Sequence, residues 1–467
     1  MTLRNCTDMS MAYYRFFPVV ALLFCLFAIF LALHVLPGAS PAAIGIGGTI
    51  IIGSGWAVLR RARMGVAAEV LFMVVATALI IGVIANVNYY TTAFGCSDAQ
   101  PYLQNADANR VWNNALAFYN GTWHDDAFVW NFFGAVISLT FLPGGPSITA
   151  ALMVSVACGA ATMVLTSLIA KCLTDSAKVA VVAMLAVASV CYLMASATIL
   201  VKDIWVAMCF AAAGYGLCEW RRSSFVWVLM AILLLGLARK NMILALLLGV
   251  IITVFPINKK ELKSQFVSRI ALIIIGIAII VIAQHLTISP TIAGQLTGTP
   301  EYTESHQGAR HAFYSIIGEE TNTDILRKLL LFPVLALTQF LIPLPWDFAR
   351  DTIFGPTLAY AHFGYPWYLF GIIFVYYMCT AKRVAGTNKL LVMSVWALIV
   401  WLIPVYTAMG TVSRYALCAV PLMAPAVAAV VMQCRQRRSF WCWLAFCVVA
   451  IGLGLLMIHH LQYSVTQ

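Results

Sequence analysis

Long apolar runs separated by short polar turns dominate the chain from residue 16 onward. Runs at residues 16–36, 42–59, 66–85, 148–170, 179–200, 204–218, 270–286, 367–381, 390–408, 415–432 and 440–458 approach the length, about 20 residues, at which a helix crosses a bilayer. The run 225–255 is longer, and Ala238-Arg239-Lys240-Asn241 interrupts its middle. Segments 128–142 and 329–344 are apolar but short, and Pro333 and Pro343 fall in the second. No internal repeat is visible, so the inverted repeat of many secondary transporters is not legible here. The pattern predicts an all-α polytopic membrane protein, with residues 1–467 forming a single integral membrane domain.

Composition agrees. Hydrophobic residues make up 63% and charged residues 10% of the chain, and mean hydropathy is +0.92. A soluble domain carries roughly 25% charged residues, so a soluble enzyme, a disordered chain and a single-pass anchor are excluded. The net charge of +11 would suit nucleic acid, but no soluble basic domain exists to bind it, and cytosolic loops of membrane proteins collect Lys and Arg. Most of the 13 cysteines lie in apolar runs and none forms a C-x-x-C pair, which argues against a zinc or redox site. Arg4 and Arg15 precede the run 16–36 without a small-residue cleavage site, so that run is expected to be the first span.

Charge then orients the spans. Cationic clusters sit at Arg60/Arg61/Arg63, Lys171/Lys178, Arg221/Arg222, Lys259/Lys260/Lys263/Arg269, Lys382/Arg383/Lys389 and Arg435/Arg437/Arg438. All fall on one side if the N-terminus is inside, the run 225–255 turns back at Arg239, and the two short segments do not cross. About 13 transmembrane helices result. With that choice 19 of the 28 cations lie inside and 12 of the 17 acids outside. The outer face is expected to hold a first loop at 86–127, and a second region at 287–366 with a re-entrant segment at 329–344. Aromatic residues in the first loop (Tyr89, Tyr90, Tyr102, Trp112, Tyr119, Trp123) argue for ordered, interface-lying helices.

The outer side also collects the residues that can carry chemistry. Asp98, in Phe94-Gly-Cys-Ser-Asp98-Ala-Gln-Pro-Tyr102, suits a general base or a metal ligand; its plainer role is to cap a helix. Asp125 and Asp126 offer the same choice. A divalent metal is admitted by this chemistry but required by nothing in the sequence. Lys202–Asp203 forms a charged turn between two apolar runs. There a phosphate contact by Lys202, oriented by Asp203, competes with simple snorkelling. Arg239–Lys240 is flanked by runs too short to reach the surface, so two cations in a protein-lined cavity call for an anion. Arg414 opens a span on the outer side, where topology does not require it, and Arg350 lies between Asp347 and Asp351. His306, Arg310 and His311 fall at helical spacing, as a metal or sugar site or as a plain polar face. No Walker loop, G-x-G-x-x-G or H-E-x-x-H occurs.

In order, these motifs resemble the GT-C superfamily of membrane glycosyltransferases, especially bacterial relatives of protein O-mannosyltransferases. The likeness runs through Ser97-Asp98-Ala99 with Tyr102, Thr198-Ile-Leu-Val-Lys202-Asp203, Leu237-Ala-Arg239-Lys240-Asn241, Pro343-Leu-Pro-Trp346 and Ser413-Arg414-Tyr415 with Pro421. It departs from the family in placing the acidic loop after the third span, and in having no second acid beside Asp98. The resemblance implies a polyprenyl-phosphate sugar donor and a glycan or lipid-linked acceptor. It makes Asp98 the base, with Lys202, Arg239, Lys240 and Arg414 on the donor phosphate and Asp203, Arg350 and Tyr102 as further substrate contacts. A bacterial inner membrane with the site facing the periplasm or exterior is implied as well. Two other functions fit the same layout: an O-antigen-type polymerase or ligase using a lipid diphosphate, and a transporter or flippase. Spans nearly free of charge, with Glu69 near the inner boundary, favour surface chemistry over passage.

Overall fold

The computed structural model describes residues 3–99, 106–122, 132–218, 222–238, 241–253, 274, 365–380, 388–408 and 417–465. They form α1 (Leu3–Val35), α2 (Pro41–Arg61), α3 (Val66–Phe94), α4 (Ala106–Tyr119), α5 (Phe132–Leu139), α6 (Ile148–Thr174), α7 (Ala177–Ser189), α8 (Cys191–Ser196), α9 (Asp203–Cys218), α10 (Arg222–Ala238), α11 (Asn241–Ile252), α12 (Tyr365–Thr380), α13 (Asn388–Ala408), a 3₁₀ turn (Leu417–Ala419), α14 (Val420–Cys434) and α15 (Arg438–Val465). No strand occurs among the described residues. Among the described residues, five helical stretches are long and apolar enough to cross a membrane: Phe16–Val35, Pro41–Arg61, Val66–Phe94, Ile148–Thr174 and Leu417–Cys434.

Local chemistry starts and stops these helices. Ser40, Ser147 and Ser176 cap α2, α6 and α7, each side chain accepting from the backbone N–H three residues on. α3 stops where Gly95 takes a left-handed conformation (φ 61°) and returns its N–H to Tyr90. α3, α6 and α14 are buried along most of their length, while α1 presents Phe24, Phe27 and Phe30 outward.

Two ends of the bundle can be told apart. At the cationic end Lys171, in the last turn of α6, donates Nζ to the carbonyls of Ala62 and, at 3.2 Å, Arg63. Nearby, Arg60 lies 5.6 Å over the Trp56 ring, and Trp56 Nε1 donates to the buried Glu69 at 2.7 Å. At the opposite end Asn88 Nδ2 donates to Pro37 at 2.8 Å and the Ser40 N–H to Thr149 Oγ1 at 3.1 Å.

The structure changes two of the expected elements. Residues 86–94, expected to begin the first outer loop, continue α3; their polar side chains bond across the bundle or along the helix and leave the backbone helical. The expected span 179–200 is broken. Val190 leaves helical geometry (ψ 82°), α8 makes a short turn of helix, and residues 197–201 are unwound. Hydroxyls bond the local carbonyls: Ser189 to Ala186 (2.8 Å), Ser196 to Leu193 (2.6 Å) and Thr198 to Ala195 (2.9 Å). Such side-chain bonds compete with the regular helix. The break expected at Arg239–Lys240 lies outside the described residues, between α10, described to Ala238, and α11, described from Asn241. The segments 287–366 and 329–344 lie outside the described residues.

α9 runs parallel to α6 but starts far along it. A methyl group placed on Gly159 would lie 2.7 Å from Ala197 Cβ and 3.9 Å from Ile204; one on Gly214 would lie 3.0 Å from Ile169. Ile204 is therefore level with Gly159, and Gly214 with Ile169. At 1.5 Å per residue, α9 begins about 16 Å below the first residue of α6.

Candidate functional site

Two places bring the sequence's candidates into defined surroundings. The first is the loop after α3. Asp98, half-buried, places its carboxylate on the N-terminus of α6. Ser147 Oγ donates to Oδ2, and Thr149 donates both its N–H (2.9 Å) and its hydroxyl (2.6 Å) to Oδ1. The Asp98 carbonyl accepts from the Ile148 N–H at 2.8 Å. A helix N-terminus carries unsatisfied donors and partial positive charge, which suit a carboxylate. Asp98 is thus a capping residue, and the helix it serves is the distant α6 rather than the neighbouring α4.

The second place is the buried junction where the interrupted helices meet. Asp203 opens α9 and is 5% exposed, while Lys202 before it is half-buried. The turn leading to them is fixed by α3: Asn86 Nδ2 donates to the Thr198 carbonyl at 2.8 Å. Trp205, one turn into α9, donates Nε1 to Leu234 of α10 at 3.3 Å and meets Phe133 of α5, ring centres 5.3 Å apart. The C-terminal end of α10 therefore lies beside the start of α9. Trp396 of α13 donates Nε1 to Ala245 of α11 at 2.8 Å and packs 6.0 Å from Phe210 of α9. A methyl group on Gly249 would run into the same indole. α11 thus descends beside α9, which requires the chain to turn back between Ala238 and Asn241. The start of α9, the end of α10 and the start of α11 converge inside the bundle.

This corrects the expected position of Lys202–Asp203. The pair does not lie at the outer face with Asp98; it lies about 16 Å further along α6. A short α9, Asp203–Cys218, explains the difference, since a helix of this length ends near the cationic side without reaching the other. Asp203 sits in the first turn, where the helix dipole favours an anion.

Of the other candidates, Tyr102, Arg239, Lys240, Arg350 and Arg414 lie outside the described residues, as do Asp125, Asp126, His306, Arg310 and His311. Among the described residues no three His, Cys, Asp or Glu side chains are grouped to hold a metal ion. Residues that sequence reasoning missed are Asn86, Ser147, Thr149 and Thr198. The available signal was a polar side chain within a helical pattern, as at Asn86, and a Ser-x-Thr pair opening an apolar run, as at Ser147. Compared with protein-family models, curated proteins and solved structures, the chain matches none.

Proposed function

We propose that this protein is a polytopic membrane glycosyltransferase. It moves a sugar from a polyprenyl-phosphate donor to a surface glycan or lipid-linked acceptor, across about thirteen spans with the cationic end in the cytoplasm. The observation that carries this reading is the convergence of three helix ends around Lys202 and Asp203, with Arg239–Lys240 standing in the sequence between α10 and α11. Cations and helix N-terminal amides suit a phosphate leaving group. In the reaction the acceptor hydroxyl gives its proton to the Asp203 carboxylate beside the phosphate and attacks the anomeric carbon; Asp98, about 16 Å away along α6, is too far to reach the same centre. The bond to the phosphate oxygen breaks, its electron pair stays on the polyprenyl phosphate, and the anomeric centre inverts.

The test is transfer of labelled sugar from a polyprenyl-phosphate monosaccharide by the purified protein in proteoliposomes. Lys202→Ala is expected to weaken donor binding about tenfold, or 1.4 kcal/mol, and Asp203→Asn to abolish transfer with the fold retained. Unchanged transfer in both variants overturns the reading.

The depth of Lys202–Asp203 favours a second reading. In transporters, half-helix N-termini near the membrane midplane hold anionic substrates, and a flippase for a lipid-linked anion would use the same junction. Movement of labelled lipid between leaflets without any acceptor, and without sugar transfer, selects that reading.

A further inference from the structure

Asn86 is fully buried on α3, at 0% exposure. Its Nδ2 donates to the Thr198 carbonyl at 2.8 Å and to the Thr198 hydroxyl at 3.3 Å. A carbonyl only accepts, so this contact fixes the amide's orientation. Oδ1 is left buried, with no hydrogen-bond partner among the described residues. Ser155 is in the same condition: it is 0% exposed, and its hydroxyl has no partner among them. Other hydroxyls in the interior of α6 bond a carbonyl of their own helix, as Thr162 does with Cys158 and Thr166 with Thr162. Ser155 lies one turn before Gly159, on the face that meets Ala197. Asn86 Oδ1 and Ser155 Oγ thus leave a polar spot in an apolar seam, beside the unwound turn.

A buried amide with an unsatisfied oxygen carries a desolvation cost that a leucine of similar size would not, whereas replacing it would strand the Thr198 carbonyl. What the amide does is occupy a carbonyl on a turn that has left the helix, and that turn runs directly into Lys202 and Asp203. We infer that Asn86 is a positioning residue, which clasps residues 197–201 so that Lys202 and Asp203 stand at the start of α9 to meet the donor phosphate. The inference rests on the reading of that turn as the anion site.

Two measurements on Asn86→Leu, Thr198→Val and Lys202→Ala separate the clasp from that reading. The first is amide hydrogen exchange on the whole protein in nanodiscs. Asn86→Leu is expected to speed exchange in residues 197–203 about tenfold while α6 and the body of α9 stay protected, with a modest fall in melting temperature because the Thr198 carbonyl loses its donor. Thr198→Val, which keeps the carbonyl contact, is expected to change little. Unchanged exchange in Asn86→Leu, or loss of protection throughout the bundle, overturns the inference. The second is binding of polyprenyl monophosphate in the same nanodiscs. Asn86→Leu is expected to weaken it about tenfold, with no further loss when combined with Lys202→Ala; two independent, additive losses would show a merely structural role and overturn the inference. Faster exchange in Asn86→Leu together with unaltered binding in Lys202→Ala would leave the clasp standing and remove the phosphate reading.

Discussion

Thr149 gives both its backbone N–H and its hydroxyl to one oxygen of Asp98, 51 positions away in the chain. The same hydroxyl accepts from the Ser40 N–H. One threonine therefore ties the α1–α2 turn, the loop after α3 and the start of α6 into a single corner.

That corner predicts how Asp98 behaves when replaced. Asp98→Ala removes the acceptor for three donors at a helix N-terminus, and is expected to lower stability by about 2 kcal/mol. Thermal unfolding in detergent measures it, with Thr149→Val showing a smaller loss in the same direction. A melting temperature equal to wild type in both would dismiss the capping role.

Gly249 tests the packing that brings α11 beside α9. A methyl group there collides with Trp396, whose indole is fully buried and held by Ala245, so it has little freedom to move. Gly249→Ala is expected to destabilise by roughly 1–3 kcal/mol, read as a lower melting temperature with altered tryptophan emission. An unchanged value would mean that α11 does not pack where it is described.

Glu69 is the buried acid of the cationic end, 7% exposed, and the acceptor for Trp56. Glu69→Leu strands the indole N–H and is expected to cost about 1–3 kcal/mol, while Glu69→Gln keeps an acceptor and is expected to lose less. Equal melting temperatures for the two variants would count against the bond to Trp56.

Orientation is open to a direct assay. A phosphatase that is active only outside the cytoplasm is expected to be active when fused after Gly121 and inactive when fused after Arg63. The opposite pattern would invert the bundle and place the Asp98 corner in the cytoplasm.

Much of this was legible where a residue's neighbours in the chain decide its state. Charge in mid-run at Arg239 and Lys240, which cannot continue an apolar span cheaply, predicted a turn there, and α10 and α11 are described as separate helices on either side of it. The break after Ser189 carried no such mark, since Val190 and its neighbours form an unbroken apolar run. It rests instead on hydroxyl bonds to local carbonyls and on Asn86, which holds Thr198 from 112 positions away. For the same reason residues 86–94 looked like loop: Asn86 and Asn88 are polar, and only their distant partners, Thr198 and Pro37, explain them within a helix. Asp98 was recognised as a residue of consequence, but its placement on α6 rests on a pairing that spacing along the chain does not reveal.

The late start of α9 divides the bundle into two storeys. Below Ile204, α6 and α9 descend together as shared masonry. Above it, the place beside α6 is free for other segments, and α5 reaches Trp205 from that side. Apart from Asp98 and Phe133, which bind it to α6 and α9, the stretch of chain between Gly95 and Ser147 can therefore change with little effect on the lower storey. In a lineage of related proteins, that upper storey is where the sequence would diverge while the junction around Lys202 and Asp203 stayed the same.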